Sequence, residues 1–286
     1  MGLIVVAPGA LATIQDAGRM GLRALGVGEA GAVDAPALAL ANRLVGNPLG
    51  AAGIEVTMGG LVLQLDAPAV VAVTGALADV TVTGGPPVGH DAPAALPAGA
   101  RLSIGLPRIG LRSYVAVRGG VDVAAVLGSR SYDTLGRIGP SPLTAGHVFP
   151  VGADPGTPID TEVAPVRPID PSAPIRIWPG PRADWFADPV AALVAQPWIV
   201  RADSDRVGAR LDGPPLHRTR GDELPSEGLV TGAVQVPHDG RPIVMLADHP
   251  VTGGYPVVAV VDPADVPIVA QARPGTPLRF TTHRRA

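Results

Sequence analysis

Glycine and proline punctuate this chain so often that long regular elements have little room. There are 37 glycines and 33 prolines, recurring at roughly 8–12-residue intervals between short β-branched runs. Proline removes a backbone donor and glycine weakens a helix interior, so both cut helices short. The pattern predicts an all-β chain with many turns. Candidate strands are Leu3–Val6, Leu61–Leu65, Val70–Val73, Asp79–Val82, Arg101–Ile104 and Arg112–Val117. Later ones are Pro174–Ile177, Trp198–Arg201, Gly228–Val236, Pro242–Ala247, Val257–Val261 and Pro277–Phe280.

A few short helices interrupt them. In DAPALALANRLVGN, residues 34–47, Asp34 is a capping residue and Pro36 falls in the first turn. Leu38, Ala41, Leu44 and Val45 form a stripe, and Gly46-Asn47 supplies the stop. Two more are expected, after Asp188-Pro189 and through Val266–Gln271. The proline-rich stretch 152–174 reads as a linker. It divides the chain into an N-terminal β domain, 1–155, and a C-terminal domain, 170–286. Trp178, Trp185, Phe186 and Trp198 are expected to build the second core.

Composition removes several chemistries. The chain has no cysteine, which excludes disulfides, thiolate metal sites and cysteine nucleophiles. All 22 Lys+Arg residues are arginine. Without lysine there is no Schiff base, no P-loop lysine and no covalently attached biotin. A net charge of −3 without a basic block argues against nucleic acid. No apolar run approaches membrane-helix length. The opening MGLIVVAPGA lacks a basic leader region, so a cytoplasmic protein that does not engage membranes is expected. No metal site is expected, since His90-Asp91 is too isolated to make one.

Five stretches could carry chemistry. TIQDAGRMG, residues 13–21, groups Thr13, Gln15, Asp16 and Arg19 in what reads as a polar surface turn with a local Asp–Arg pair. TGGPPVGHDAP, residues 83–93, lacks the strand-to-helix context of a dinucleotide loop and reads as a turn. Ser129, Arg130 and Ser131 suit an anionic ligand or a solvated loop equally. DSDRVGARLDG, residues 203–213, reads as an internal ion-pair network of Asp203, Asp205, Arg206 and Arg210. The fifth runs from Glu227 through Gln235 and the turn at Pro237–Gly240 to Asp248, His249, Gly253, Gly254 and Tyr255. There, if the flanking strands pair as a hairpin, Glu227 is the closer cross-strand neighbour of Asp248, and two carboxylates that close would raise one pKa; the alternative is that they belong to unrelated faces of a barrel, and periodicity alone does not decide between the two. Gly253-Gly254 reads as a tight turn with positive φ.

Taken in order, these stretches resemble the family variously called allophanate hydrolase subunit 2, biotin-dependent carboxyltransferase family or C-type subunit of 5-oxoprolinase. The resemblance rests on Thr13-Ile14-Gln15-Asp16 with Gly18-Arg19, on Gly31, Asp34, Ala41-Asn42, Gly46-Asn47 and Glu55, and on Arg112 with Tyr114. It continues through Gly119-Gly120, Gly128-Ser129-Arg130-Ser131 and Ser204-Asp205-Arg206 with Gly208, Arg210-Leu211 and Gly213. It closes on Gly232, Gln235-Val236-Pro237, Thr252-Gly253-Gly254-Tyr255-Pro256 and Ala270-Gln271. One departure stands out: His249-Pro250-Val251 occupies the place where the family often has Arg-Gln-Thr.

The resemblance implies two cyclophilin-like β-barrel domains. It also implies a subunit 1 partner, the B-type subunit, and, in 5-oxoprolinases, a third subunit and ATP bound by the assembled complex. A cleft shared with the partner would then be lined by Gln235, Asp248, His249, Tyr255 and Glu227 as catalytic residues. Asp248 would serve as the acid/base or ligand-orienting group and Tyr255 as the donor to developing oxyanion charge. Arg130 or Arg206, with Ser129, Gly253 and Gly254, would bind substrate. The alternatives are a carboxyltransferase subunit using biotin carried on another protein, and a regulatory protein that binds its partner without turnover.

Overall fold

The computed structural model describes residues 2–164 and 169–282. The chain divides into two compact units. The first comprises the chain up to Met20, Ala30–Asp133 and Arg137–Ile169; the second comprises Gly21–Glu29, Thr134–Gly136 and the chain from Asp170 onward.

The first unit contains β1 (Gly2–Pro8), β2 (Leu11–Gln15), α1 (Ala35–Leu44), β3 (Gly53–Thr57), β4 (Leu61–Leu65), β5 (Ala69–Thr83), β6 (Pro93–Leu96), β7 (Arg101–Val117) and β8 (Val148–Pro150). Its sheet runs β2-β3-β7-β4-β1-β8, with β5 joined to β7 and β6. Strand β7 is the spine. One edge pairs with β4 through Arg101–Ser103 and with β3 through Arg112–Val115, while β5 pairs along the strand from Arg101 to Val117. Between Gly75 and Val80 the β5 register shifts repeatedly, which coils the sheet. Gly75 has φ 83°, and a Cβ there would lie 2.6 Å from the Arg112 carbonyl oxygen. The sequence pattern splits β5 and β7 into two strands each, because Gly75, Gly105, Pro107 and Gly110 break the apolar runs. The structure keeps each strand continuous by absorbing these residues as irregularities.

Side chains alternating from β1, β2, β3, β4 and β7, among them Leu3, Ile14, Ile54, Leu63 and Leu102, fill the core on one face. Helix α1 covers the other, setting Ala41, Leu44 and Val45 against Ala72 and Ala116. The Asp34 carboxylate accepts from the Ala37 N–H at 3.1 Å, and Gly46 takes φ 74° beyond the last turn. A buried polar joint fixes the helix start. The Tyr114 hydroxyl accepts from the Asp34 N–H at 2.8 Å and donates to Glu55 Oε2 at 2.9 Å, which also accepts from the Val33 N–H at 3.0 Å. Burial, and then the Glu55 charge, push the Tyr114 phenol well above its usual pKa, so it remains a neutral donor.

The second unit contains β9 (Ile175–Pro179), α2 (Pro189–Val194), β10 (Trp198–Val200), β11 (Gly208–Asp212), β12 (Glu227–Gly228), β13 (Ala233–Gln235), β14 (Ile243–Met245), β15 (Thr252–Gly253), β16 (Val257–Val261), α3 (Val266–Ala270), β17 (Pro277–Leu278) and β18 (Phe280–Thr282). The sheet order is β17-β10-β11-β14-β13-β16-β9-β18, and β12 and β15 form a separate ribbon. The two ends of this order are neighbours in sequence. Leu278 pairs antiparallel with Trp198, Phe280 pairs parallel with Ile175, and the Arg279 carbonyl between them accepts from the Ile175 N–H at 2.8 Å. One stretch of chain thus hydrogen-bonds both edges and curls the sheet into a barrel.

Ile177, Leu211, Val234, Val244, Ala259 and Val261 are buried on the inner side. Trp198 joins them, its indole N–H donating to the Leu193 carbonyl at 3.0 Å. Trp185 and Phe186 are buried as well, but Trp178 is 43% exposed. Strand alternation explains this departure from the expected aromatic core: Ile175 and Ile177 take the inward positions of β9, which turns Trp178 outward.

In the proline-rich stretch 152–174, residues 165–168 lie outside the described residues, and the described remainder forms no helix or strand. No helix among the described residues is long and apolar enough to cross a membrane. The polar joint at α1 gives a direct test. Tyr114→Phe removes two buried hydrogen bonds and is expected to cost about 1–3 kcal/mol, read as a lower urea midpoint with an unchanged denaturant slope.

Candidate functional site

Opposed residues of an antiparallel pair share a face. Gly208, Arg210, Ile243, Met245 and Gln235 therefore lie on one side of β11, β14 and β13, outward from the packed interior. A cleft of about 400 Å³ opens over this face. Ile243 and Met245 form an apolar floor, Gly253, Gly254 and Tyr255 stand along one wall, and Arg201, Arg210 and Arg241 bring positive charge.

Gln235 is 3% exposed. Its Nε2 donates to the Tyr255 carbonyl at 2.9 Å, which fixes the amide orientation. Its Oε1 is left as an acceptor with no protein donor among the described residues. Gly253 makes room for this arrangement. Neither Gly253 nor Gly254 has positive φ. Instead, a Cβ on Gly253 would lie 2.8 Å from Gln235 Nε2 and 2.9 Å from Leu229 Cδ1. The constraint at Gly253 is close packing rather than backbone handedness. The Tyr255 ring is 40% exposed and meets His238 edge-on at 5.9 Å.

Asp248 and His249 lie behind this surface. Asp248 is 1% exposed. Its carboxylate accepts from Arg206 Nε at 2.8 Å and NH2 at 2.9 Å, and from the Thr134 N–H at 2.9 Å and hydroxyl at 2.7 Å. Arg206, itself 1% exposed, makes this pair with a residue 42 positions away in sequence. Sequence proximity suggests a local network for residues 203–213, but burial favours the fork-to-fork pair with Asp248.

His249 Nδ1 lies 2.7 Å from the Pro250 carbonyl, so the proton sits on Nδ1 and Nε2 keeps its lone pair. Burial lowers the His249 pKa, with Arg23 adding to the effect against the opposing Pro250 carbonyl, Glu29 and Asp248. Glu227 is not the neighbour of Asp248. It pairs across strands with Gly253 and is clamped by Arg182, with Arg182 Nε at 3.0 Å and NH2 on the second oxygen. That pairing lowers the Glu227 pKa instead of raising it.

In the first unit, the serines of residues 129–131 turn inward. Asp16 Oδ1 accepts from the Ser129 hydroxyl at 2.6 Å, the Ser131 hydroxyl at 2.5 Å and the Gly18 N–H at 2.8 Å. Its Oδ2 accepts from the Arg130 N–H at 2.6 Å. The Arg130 side chain meets Asp122 at 3.0 Å and the Val123 carbonyl at 2.8 Å. Arg19 is buried and donates to the carbonyls of Val126, Ser131 and Ile138. Residues 13–21 are therefore not a surface turn with a local pair; their charges tie a distant loop in place. Among the described residues no group of His, Cys, Asp and Glu is arranged to hold a metal ion.

Two measurements follow from the buried groups of the second unit. Arg206→Met leaves the Asp248 carboxylate buried without this cation and is expected to cost about 3–5 kcal/mol, with part of the loss recovered when Asp248→Leu is added. The folded-state pKa of His249 lies below its unfolded value of about 6.5. Its contribution to stability is therefore full above that pH and is lost as pH falls through the folded pKa. In urea titrations His249→Gln should show a shallower loss of stability below that pH than the parent chain.

Comparison with known proteins agrees with this architecture. Residues 25–282 match the family model of the carboxyltransferase domain, subdomain A and B. The chain is 38% identical to the C-type subunit of 5-oxoprolinase from Escherichia coli over 97% of its own length and 90% of that protein. It is 31% identical to the urea amidolyase of Lachancea kluyveri over 96% of its length but 16% of that enzyme. Among solved structures, TTHA0988 superposes with a TM-score of 0.89 at 38% identity, covering 98% of this chain and 55% of that one. The present chain thus spans just over half of TTHA0988. By sequence and by fold, it belongs to the carboxyltransferase-domain family that includes the C-type subunit of 5-oxoprolinase.

Proposed function

We propose that this chain is the C-type subunit of an ATP-dependent 5-oxoprolinase, acting with a subunit-1-type partner on a small cyclic amide that bears a carboxylate. The observation that carries this reading is the near end-to-end match to the Escherichia coli 5-oxoprolinase subunit, at 97% of this chain and 90% of the relative. The chemistry of the cleft fits it. Gln235 Oε1 faces a neutral N–H as a hydrogen-bond acceptor. Tyr255 is 40% exposed, and its hydroxyl donates where oxyanion charge develops on the ring carbonyl. Gly253 gives the Gln235 amide its room at the wall. Asp248 acts with Arg206 from behind, holding the segment that presents Gly253 and Tyr255, and the buried His249 packs within that segment, tied to the Pro250 carbonyl. Arg182 keeps Glu227 ionised at the base of the ribbon. Ser129 and Arg130 shape the loop around Asp16 in the first unit. ATP is assigned to the assembled complex, and this chain, which has no lysine, brings no P-loop of its own. The partner covers the cleft and excludes water.

A second reading is a carboxyltransferase subunit. The family model and the likeness to urea amidolyase favour it. Biotin would then be carried on another protein, since a chain without lysine cannot be biotinylated in the usual way.

Co-expression with the subunit-1-type partner and a third subunit, followed by ATP-dependent glutamate release from 5-oxoproline, tests the first reading. Activity that disappears when this chain is omitted supports it. A stable but inactive complex transfers the assignment to carboxyl transfer or to regulation of the partner. Within an active complex, Gly253→Ala should lower kcat/KM by about 10–100-fold through displacement of the Gln235 amide. Gly254→Ala, whose Cβ would meet only the Leu224 carbonyl at 3.5 Å, should have little effect.

A further inference from the structure

Three arginines border the cleft, and they differ in commitment. Arg201 is held by Asp203 through Nε at 3.0 Å and NH2 at 2.9 Å. Arg241 meets Asp212 at 3.2 Å. Arg210 lies 3.8 Å from Asp203, beyond hydrogen-bond distance, and its side chain is 47% exposed. Asp203 is drawn toward Arg201, whose hydrogen bonds lower its pKa. Arg210 is therefore the cleft arginine farthest from its counter-ion, Arg241 being equally exposed but closer to its carboxylate.

Its place in the sheet is specific. Arg210 pairs with Ile243 across β11 and β14, and Ile243 pairs with Gln235 across β14 and β13. The three residues form one row on the outer face. Arginine and glutamine are separated by two strand spacings, roughly 10 Å between backbones, with an apolar side chain between them. A guanidinium fork at one end suits a carboxylate. The Gln235 Oε1 at the other end suits an N–H donor, and Ile243 suits a saturated ring.

We infer that Arg210 is the carboxylate-binding, specificity-determining residue of this cleft, working across the Ile243 floor with Gln235 on the amide edge of the same small molecule. The inference builds on the reading above for the substrate class. Arg206 and Arg130, the arginines suggested by the sequence, are instead engaged by Asp248 and Asp122.

The test is calorimetric binding to the full chain, alone and in complex with its partner. The probes are 2-pyrrolidone-5-carboxylate and 2-pyrrolidone, which lacks the carboxylate. Arg210→Gln should weaken binding of the acid by about 10–100-fold and leave 2-pyrrolidone unchanged. Arg210→Lys should be intermediate, and Arg241→Gln should match the parent chain. Equal affinity of the acid for parent and Arg210→Gln overturns the inference, as does absence of acid binding to the parent in both forms. Turnover separates the two claims. Discriminating binding without ATP-dependent turnover retains the Arg210 site and rejects the oxoprolinase reading. Turnover with an unchanged KM in Arg210→Gln does the reverse.

Discussion

The second unit depends on one stretch of backbone meeting two edges. Its sheet would otherwise end at β10 on one side and β9 on the other, each with a row of unpaired donors and acceptors. Residues 277–282 give Leu278 to the first edge and Phe280 to the second, with Arg279 at the joint. Closure lets short strands enclose a continuous apolar interior of Leu211, Val234, Val244 and Val261. It also decides where chemistry resides. Once the interior is filled, the polar residues of the same strands must lie outside, and Gln235 and Arg210 do so on either side of Ile243.

The buried Arg206–Asp248 pair has a different task. A pair this deeply buried gains little net stability over an apolar substitute, but it is costly to break singly. Thr134 adds two hydrogen bonds to the same carboxylate, fixing the backbone just before His249 and the glycine wall. Asp16 plays a comparable part in the first unit, where one carboxylate gathers the hydroxyls of Ser129 and Ser131 and two backbone N–H groups. In both units a carboxylate with acid/base potential on paper is saturated with donors and acts as an organiser.

Much of the fold was legible in the sequence, where local signals are self-sufficient. Helix α1 carries its own cap, apolar stripe and glycine stop. Strands such as β4, β16 and the outer parts of β5 and β7 are β-branched runs. What escaped were strands whose residues look polar. Strand β2 contains Thr13 and Gln15, and β11 contains Arg210, so each reads as a loop until distant partners pair with it. Long-range register also decided the site. Gln235, Tyr255 and the two glycines could be named from their motif, but the reason for Gly253 could not, because the atom it must avoid belongs to Gln235 on another strand. The difference between Arg206 and Arg210, four residues apart, likewise comes from facing opposite environments, which composition and charge pattern do not encode.

The most direct measurement of the central claim, that the outer-face cleft over β11, β14 and β13 receives the substrate, is a crystal structure of the chain with its partner soaked in 2-pyrrolidone-5-carboxylate. The ring is expected over Ile243, with its amide edge at Gln235 and its carboxylate at Arg210. A fully occupied ligand bound elsewhere, with this cleft empty, would contradict it.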